Sequence, residues 1–213
     1  AILEQLLQTI VQYTDTAMVG RISPQASAAS GLTTTMTWLV GSPMGALGIG
    51  VLACIAESIG AHREELAGSI AVQALYFVLG IGLLLGVLTL SISPLLPSWL
   101  GADPEIRHDA SLYFSIICTP MIFRASTIIL GAALRGSGDT RHPMYANVMM
   151  NITNVVLNFF LIYDPRVVTV GSRSLFIPGA GLKVTGAALA TAASYCVGGL
   201  FMFLMYYRNP QLS

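Results

Sequence analysis

The chain has 213 residues, 54% hydrophobic and only 9% charged, with ten basic and ten acidic side chains in balance. Globular domains average about 25% charged residues, so this chain has too few polar groups to cover a water-facing surface, and its composition points to a bilayer as solvent. Zero net charge excludes a basic face for nucleic acid and an acidic face for a cationic protein partner.

Charge-free stretches punctuate the sequence and predict membrane-spanning helices, each meeting the length of about 20 residues that the hydrocarbon core requires. The first span, 1–19, is the most polar. It carries Gln5, Gln8, Gln12 and Asp15 at helical spacings that share one face. Such a face belongs against an interior rather than lipid, and Gln8 and Gln12 are predicted to line a cavity. The alternative is that Asp15 anchors a helix end at the membrane surface. A connection at 20–30 leads to the second span, 32–56, which contains Pro43 and the four-apart pair Gly41 and Gly45. Glu57, near its end, reads as solvated. The third span, 66–98, carries Gly82 and Gly86 and ends near Pro94. The fourth, 113–134, holds Pro120 and a single charge, Arg124, which must snorkel or find a carboxylate partner. Small residues let helix backbones approach closely in lipid, although ordinary packing explains any one of them. The three prolines are candidate bends.

The fifth span, 143–163, carries Asn147, Asn151, Asn154 and Asn158 at spacings of four, three and four. One reading is an adhesive seam between helices, with contacts of about 1–2 kcal/mol each in model systems. The other is functional: amide oxygens that help a carboxylate hold a hard cation or a proton-linked water network, with Asn151 lining the cavity. A long loop rich in Gly, Pro and Ser, 164–183, precedes the sixth span, 184–207. Basic residues in the loops fall four on one side and five on the other, so charge does not orient the chain.

Enzyme motifs, cofactor signatures and metal-ligand spacings are not found. Cys54, Cys118 and Cys196 lie in apolar stretches and read as buried, inert thiols. His62, His108 and His142 read as solvated loop residues.

Several sequence elements occur in a distinctive order. Asp15-Thr-Ala-Met-Val-Gly-Arg is followed by Gly60-Ala61 and Leu100-Gly-Ala-Asp-Pro-Glu-Ile. Then come Gly131-Ala-Ala-Leu-Arg-Gly-Ser-Gly-Asp-Thr-Arg-His-Pro-Met, Asn154-Val-Val-Leu-Asn158 and Gly179-Ala-Gly-Leu-Lys-Val-Thr-Gly. Together they resemble the amino-terminal half of the multidrug and toxic compound extrusion (MATE) family. The resemblance implies one all-α, six-helix lobe of a twelve-helix transporter in the cell membrane, with a cytoplasmic amino terminus and a carboxy-terminal bundle outside this chain. It implies a secondary antiporter that exports organic, often cationic, compounds. The site it implies is Asp15 as the coupling carboxylate, with Asn154, Asn158 and Thr191 as polar partners. Sodium and the proton are alternative coupling ions, and no cofactor is expected. Some family members have a second carboxylate where this chain has Asn158, and Glu57 stands where Gln is frequent. A lipid-linked oligosaccharide flippase, a membrane-embedded enzyme and a non-transporting scaffold are rival readings. The flippase predicts a basic cavity, the enzyme a cluster of acids or histidines at one membrane face, and the scaffold a purely adhesive Asn stripe.

Overall fold

The computed structural model describes residues 9, 13, 24–170, 173–177 and 179–209. Within them the helices are α1 (Pro24–Gly60), α2 (Glu64–Ile92), α3 (Leu96–Trp99), α4 (Pro104–Cys118), α5 (Met121–Gly136), α6 (Arg141–Leu161) and α7 (Lys183–Arg208). Strands β1 (Arg166–Val170) and β2 (Arg173–Ile177) form an antiparallel hairpin between α6 and α7. The loop expected at 164–183 therefore contains a short two-stranded element attached to an otherwise helical lobe.

Predicted spans 32–56, 66–98, 143–163 and 184–207 fall on α1, α2, α6 and α7. Among the described residues, four helices are long and apolar enough to cross a membrane, and a fifth crossing results if the bent pair α4–α5 is counted as one. Apart from Thr9 and Tyr13, the first predicted span, 1–19, lies outside the described residues.

Three boundaries differ from expectation. Helix α1 begins at Pro24, inside the expected connection at 20–30, because proline suits a first helical turn whose N–H has no partner anyway. Its 37 residues reach about 55 Å, well beyond a hydrocarbon core of about 30 Å. Helix α2 stops at Ile92, short of the expected 98, with Pro94 in the turn that follows. The fourth span is two helices, 104–118 and 121–136, bent by 50°. Pro120 has no N–H to continue the helical ladder, and the Arg124 N–H starts the next helix by donating to the Pro120 carbonyl at 3.0 Å.

Pro43, by contrast, stays within α1. The Leu39 carbonyl that its missing N–H would have bonded accepts the Ser42 hydroxyl at 2.8 Å.

Helix α5 is the centre of the lobe. It packs against α1, α2, α6 and α7, and most of its residues are buried. The side chains of α2 show why the chain suits lipid. Ala67, Ala71, Ala74, Val78, Gly82 and Gly86 face inward, whereas Leu83 and Leu84 are 61% and 63% exposed. Small residues inside and large apolar ones outside invert the water-soluble pattern. Gly82 lies so close to α5 that an added Cβ would stand 2.8 Å from the Ile122 Cα, whereas Gly45 meets nothing within 4 Å. The four-apart spacing therefore marks a true close approach at Gly82 but not at Gly45.

The thiols also differ from expectation. Cys118 is buried and Cys196 half-buried, but Cys54 is exposed because it falls on the outer face of α1.

Candidate functional site

Helix α6 is fixed at both ends, which sets the position of its asparagines. At its start, the Asp139 carboxylate accepts the backbone N–H groups of Arg141 and His142, each at 3.2 Å. The same carboxylate contacts His142 Nδ1 at 2.5 Å, so His142 is paired while its side chain is still 43% exposed, and it stands in the first turn of α6 rather than in a loop. Burial alone would raise the Asp139 carboxyl. The His142 ring and the two N–H groups outweigh that effect and hold it below its usual value.

At the other end, the chain leaving the hairpin folds back on α6. The N–H groups of Ala180, Gly181, Leu182 and Lys183 donate to the carbonyls of Phe160, Tyr163, Leu161 and Ile162 at 2.9–3.2 Å. The last turn of a helix leaves its carbonyls without helical donors, and this return segment supplies them. Gly181 makes the turn with φ +63°.

The returning strand of chain therefore starts α7 directly beside the end of α6. Gly186 permits the contact, since a Cβ there would lie 2.5 Å from the Leu161 carbonyl oxygen. The two helices then run antiparallel, and Thr191 comes level with Asn154. Gly186→Val is expected to force α7 off α6, lowering the melting temperature of the full-length protein in detergent by several degrees. An unchanged melting curve would show that the contact is not needed.

Asn154 and Asn158 are the two buried members of the asparagine stripe, 5% and 1% exposed, while Asn147 and Asn151 are half-buried. Asn158 Nδ2 donates to Asn154 Oδ1 at 3.0 Å, and Asn154 Nδ2 donates to Thr191 Oγ1 at 3.1 Å. Thr191 Oγ1 in turn donates to the Ala187 carbonyl at 3.0 Å. The result is a directed chain of hydrogen bonds across the α6–α7 interface. The three links use an amide oxygen, a hydroxyl and a backbone carbonyl as acceptors in a low-dielectric interior, where such networks are strengthened and broken ones are costly. Oxygen donors of this kind suit a hard cation or an ordered proton-carrying water.

Of the expected site residues, the structure brings together Asn154, Asn158 and Thr191. Asn151 lies one turn away on α6 and is half-buried. Asp15, Gln8 and Gln12 lie outside the described residues.

The sequence pattern of the MatE family matches residues 1–160, three-quarters of the chain. The chain belongs to the MatE family. Among curated relatives, the probable multidrug resistance protein NorM of Thermotoga maritima is 28% identical over 97% of this chain and 42% of its own length. The multidrug resistance protein PmpM of Pseudomonas aeruginosa is 30% identical over 75% of this chain and 33% of its own. A crystal structure of MATE in complex with MaL6 superimposes with a TM-score of 0.87, at 27% identity, over 99% of this chain and 44% of that one. The chain thus spans less than half the length of the relatives it matches. With the apolar outer faces of its helices, membership identifies a membrane protein of the MatE family.

The sequence reading overlooked two features of this MatE lobe. The first is the setting of Arg124: Nη2 donates to the Thr37 carbonyl of α1 at 2.9 Å, and the guanidinium lies 5.5 Å from the centre of the Tyr195 ring. The spacing of residues along one helix cannot reveal a contact between helices. The second is a hydroxyl seam between α2 and α4. Ser93 Oγ donates to the Ser111 carbonyl at 2.9 Å and lies 2.5 Å from Ser115 Oγ. This seam ties α2 to α4, the first half of the bent pair, and contributes to packing.

Proposed function

We propose that this chain is the amino-terminal six-helix lobe of a cation-coupled antiporter of the cell membrane. With a carboxy-terminal bundle, it exports organic, often cationic, compounds in exchange for sodium or protons. The carrying observation is the Asn158–Asn154–Thr191 chain, which gathers amide and hydroxyl oxygens at a buried helix interface. Burying such groups costs several kcal/mol if they are left unmatched, so a purely apolar interface would be the cheaper way to join two helices.

In this reading Asp15, on the first of the six spans, supplies the negative charge, and Asn154, Asn158 and Thr191 shape the oxygen cage around the coupling ion. Gln8, Gln12 and Asn151 line the adjoining cavity. Ion binding changes how the first span packs and so alters the substrate cavity between the two bundles. Alternating access follows from rocking of one bundle against the other.

The test uses the full-length protein in proteoliposomes loaded with ethidium. A sodium gradient and a pH gradient are imposed in separate experiments. Efflux driven by one of them, and absent without a gradient, supports the reading and identifies the ion. Efflux that ignores both gradients contradicts it.

A further inference from the structure

Arg124 is the only charged side chain in the buried set among the described residues, at 9% exposure. It stands one turn past the α4–α5 bend and reaches into the crevice between α1 and α7. Those two helices pack on α5 but barely on each other. Nη2 is satisfied by the Thr37 carbonyl, and Tyr195 offers its ring face. Gly41 lets the guanidinium lie against α1, since a Cβ there would stand 2.9 Å from Nη2. Nη1 is different: it is buried and has no acceptor among the described residues. No carboxylate among them pairs with Arg124.

A guanidinium stays charged in any protein environment and offers a planar fork that matches carboxylates and phosphates. An ionisable group deep in a membrane protein calls for a counter-charge, and here the described residues supply only a backbone oxygen and an aromatic ring. The position is informative as well. Tyr195 lies four residues beyond Thr191 on α7, one helical turn or about 6 Å along the axis. A ligand group held by Arg124 would therefore sit beside the asparagine–threonine chain.

We propose that Arg124 forms an anion subsite: its buried, unpartnered Nη1 edge receives the carboxylate or phosphate group of an amphiphilic compound carried by the transporter. The Tyr195 ring and the Thr37 carbonyl hold the guanidinium, which leaves the Nη1 edge without a partner among the described residues. The inference rests on the transport reading and adds a substrate class, anionic or zwitterionic amphiphiles, to the cations considered above. A zwitterion would place its negative group on Arg124 and its positive group toward the polar chain one turn away.

The experiment measures binding to the purified full-length protein by calorimetry. The probes are 4-methylumbelliferyl phosphate, coumarin-3-carboxylate, neutral coumarin and ethidium. Wild type is expected to bind at least one anionic probe and not neutral coumarin, and the anion that binds identifies the group. Arg124→Gln should weaken that anion by about tenfold or more. Arg124→Lys, which keeps the charge but loses the fork, should fall between the two. Ethidium affinity and melting temperature should stay near wild type in both variants.

The proposal is overturned if no anion binds wild type, because a carboxylate elsewhere in the protein then satisfies Arg124. It is also overturned if Arg124→Gln leaves the anion's affinity unchanged. Equal loss of anion binding, ethidium binding and melting temperature would assign Arg124 to packing and overturn it too. Failure of ethidium to bind wild type would instead count against the transport reading itself.

Discussion

Asp15→Asn in the full-length protein is expected to slow ion-driven ethidium efflux by roughly tenfold to a hundredfold, the span of typical coupling free energies between two ligands. The substitution keeps the size and hydrogen-bonding capacity of the side chain and removes only its charge. A cage built from the amide and hydroxyl groups of Asn154, Asn158 and Thr191 has no negative charge of its own. The cation must be neutralised by a carboxylate, and Asp15 is the residue that the family resemblance places there. Exchange of ethidium for ethidium across the membrane, with no ion gradient, should survive. Retained exchange with lost coupling separates a charge effect from misfolding. Efflux at the wild-type rate would remove Asp15 from the mechanism.

Asn154→Leu should have the second-largest effect, because Asn154 holds the middle of the chain. Its Oδ1 accepts from Asn158 and its Nδ2 donates to Thr191, so leucine removes both links at once. Breaking a buried hydrogen-bonded pair costs about 1–3 kcal/mol. The melting temperature should therefore drop by several degrees, and coupled efflux should fall about tenfold. Asn151→Leu, one turn away, half-buried and outside the hydrogen-bonded chain, is the comparison and should lower both clearly less. If the two variants behave alike, the buried chain has no special role and the stripe acts only as a general adhesive surface.

The contrast between Asn154 and Asn151 also shows how much of the site was legible in the sequence. Spacings of four, three and four put all four asparagines on one arc, and that arc does face inward. Periodicity could not rank them, since burial depends on the helix that covers them. That helix, α7, is set in place by Gly181, by the return segment bonded to the end of α6 and by the close approach at Gly186. These contacts join residues some twenty positions apart through a loop, and the hydrophobic pattern carries no record of them. The sequence contained Thr191 without showing why it mattered, and only the family resemblance pointed to it.

The long apolar helices were the easiest features to read, because charge is excluded from lipid wherever it lacks a partner. Arg124 explains why the fourth span was harder. A run with one tolerated charge reads as continuous, yet the backbone breaks at Thr119 and Pro120, four residues before it. Pro43 is exposed within an unbroken helix because Ser42 takes up the freed carbonyl. Pro120 sits between two helices. Proline alone does not separate these outcomes; the neighbouring hydroxyl and the packing do.

The central claim is that the α6–α7 polar chain belongs to the coupling-ion site rather than to the substrate cavity or the helix seam. Thr191→Val tests it most directly, since it keeps the shape of the side chain and removes one oxygen. The measurement is the rate of ethidium efflux against the concentration of the driving ion, and separately against ethidium. The account predicts that half-maximal rate requires about tenfold more driving ion, while the ethidium dependence stays near wild type. An unchanged ion dependence, or a change confined to ethidium, would contradict it.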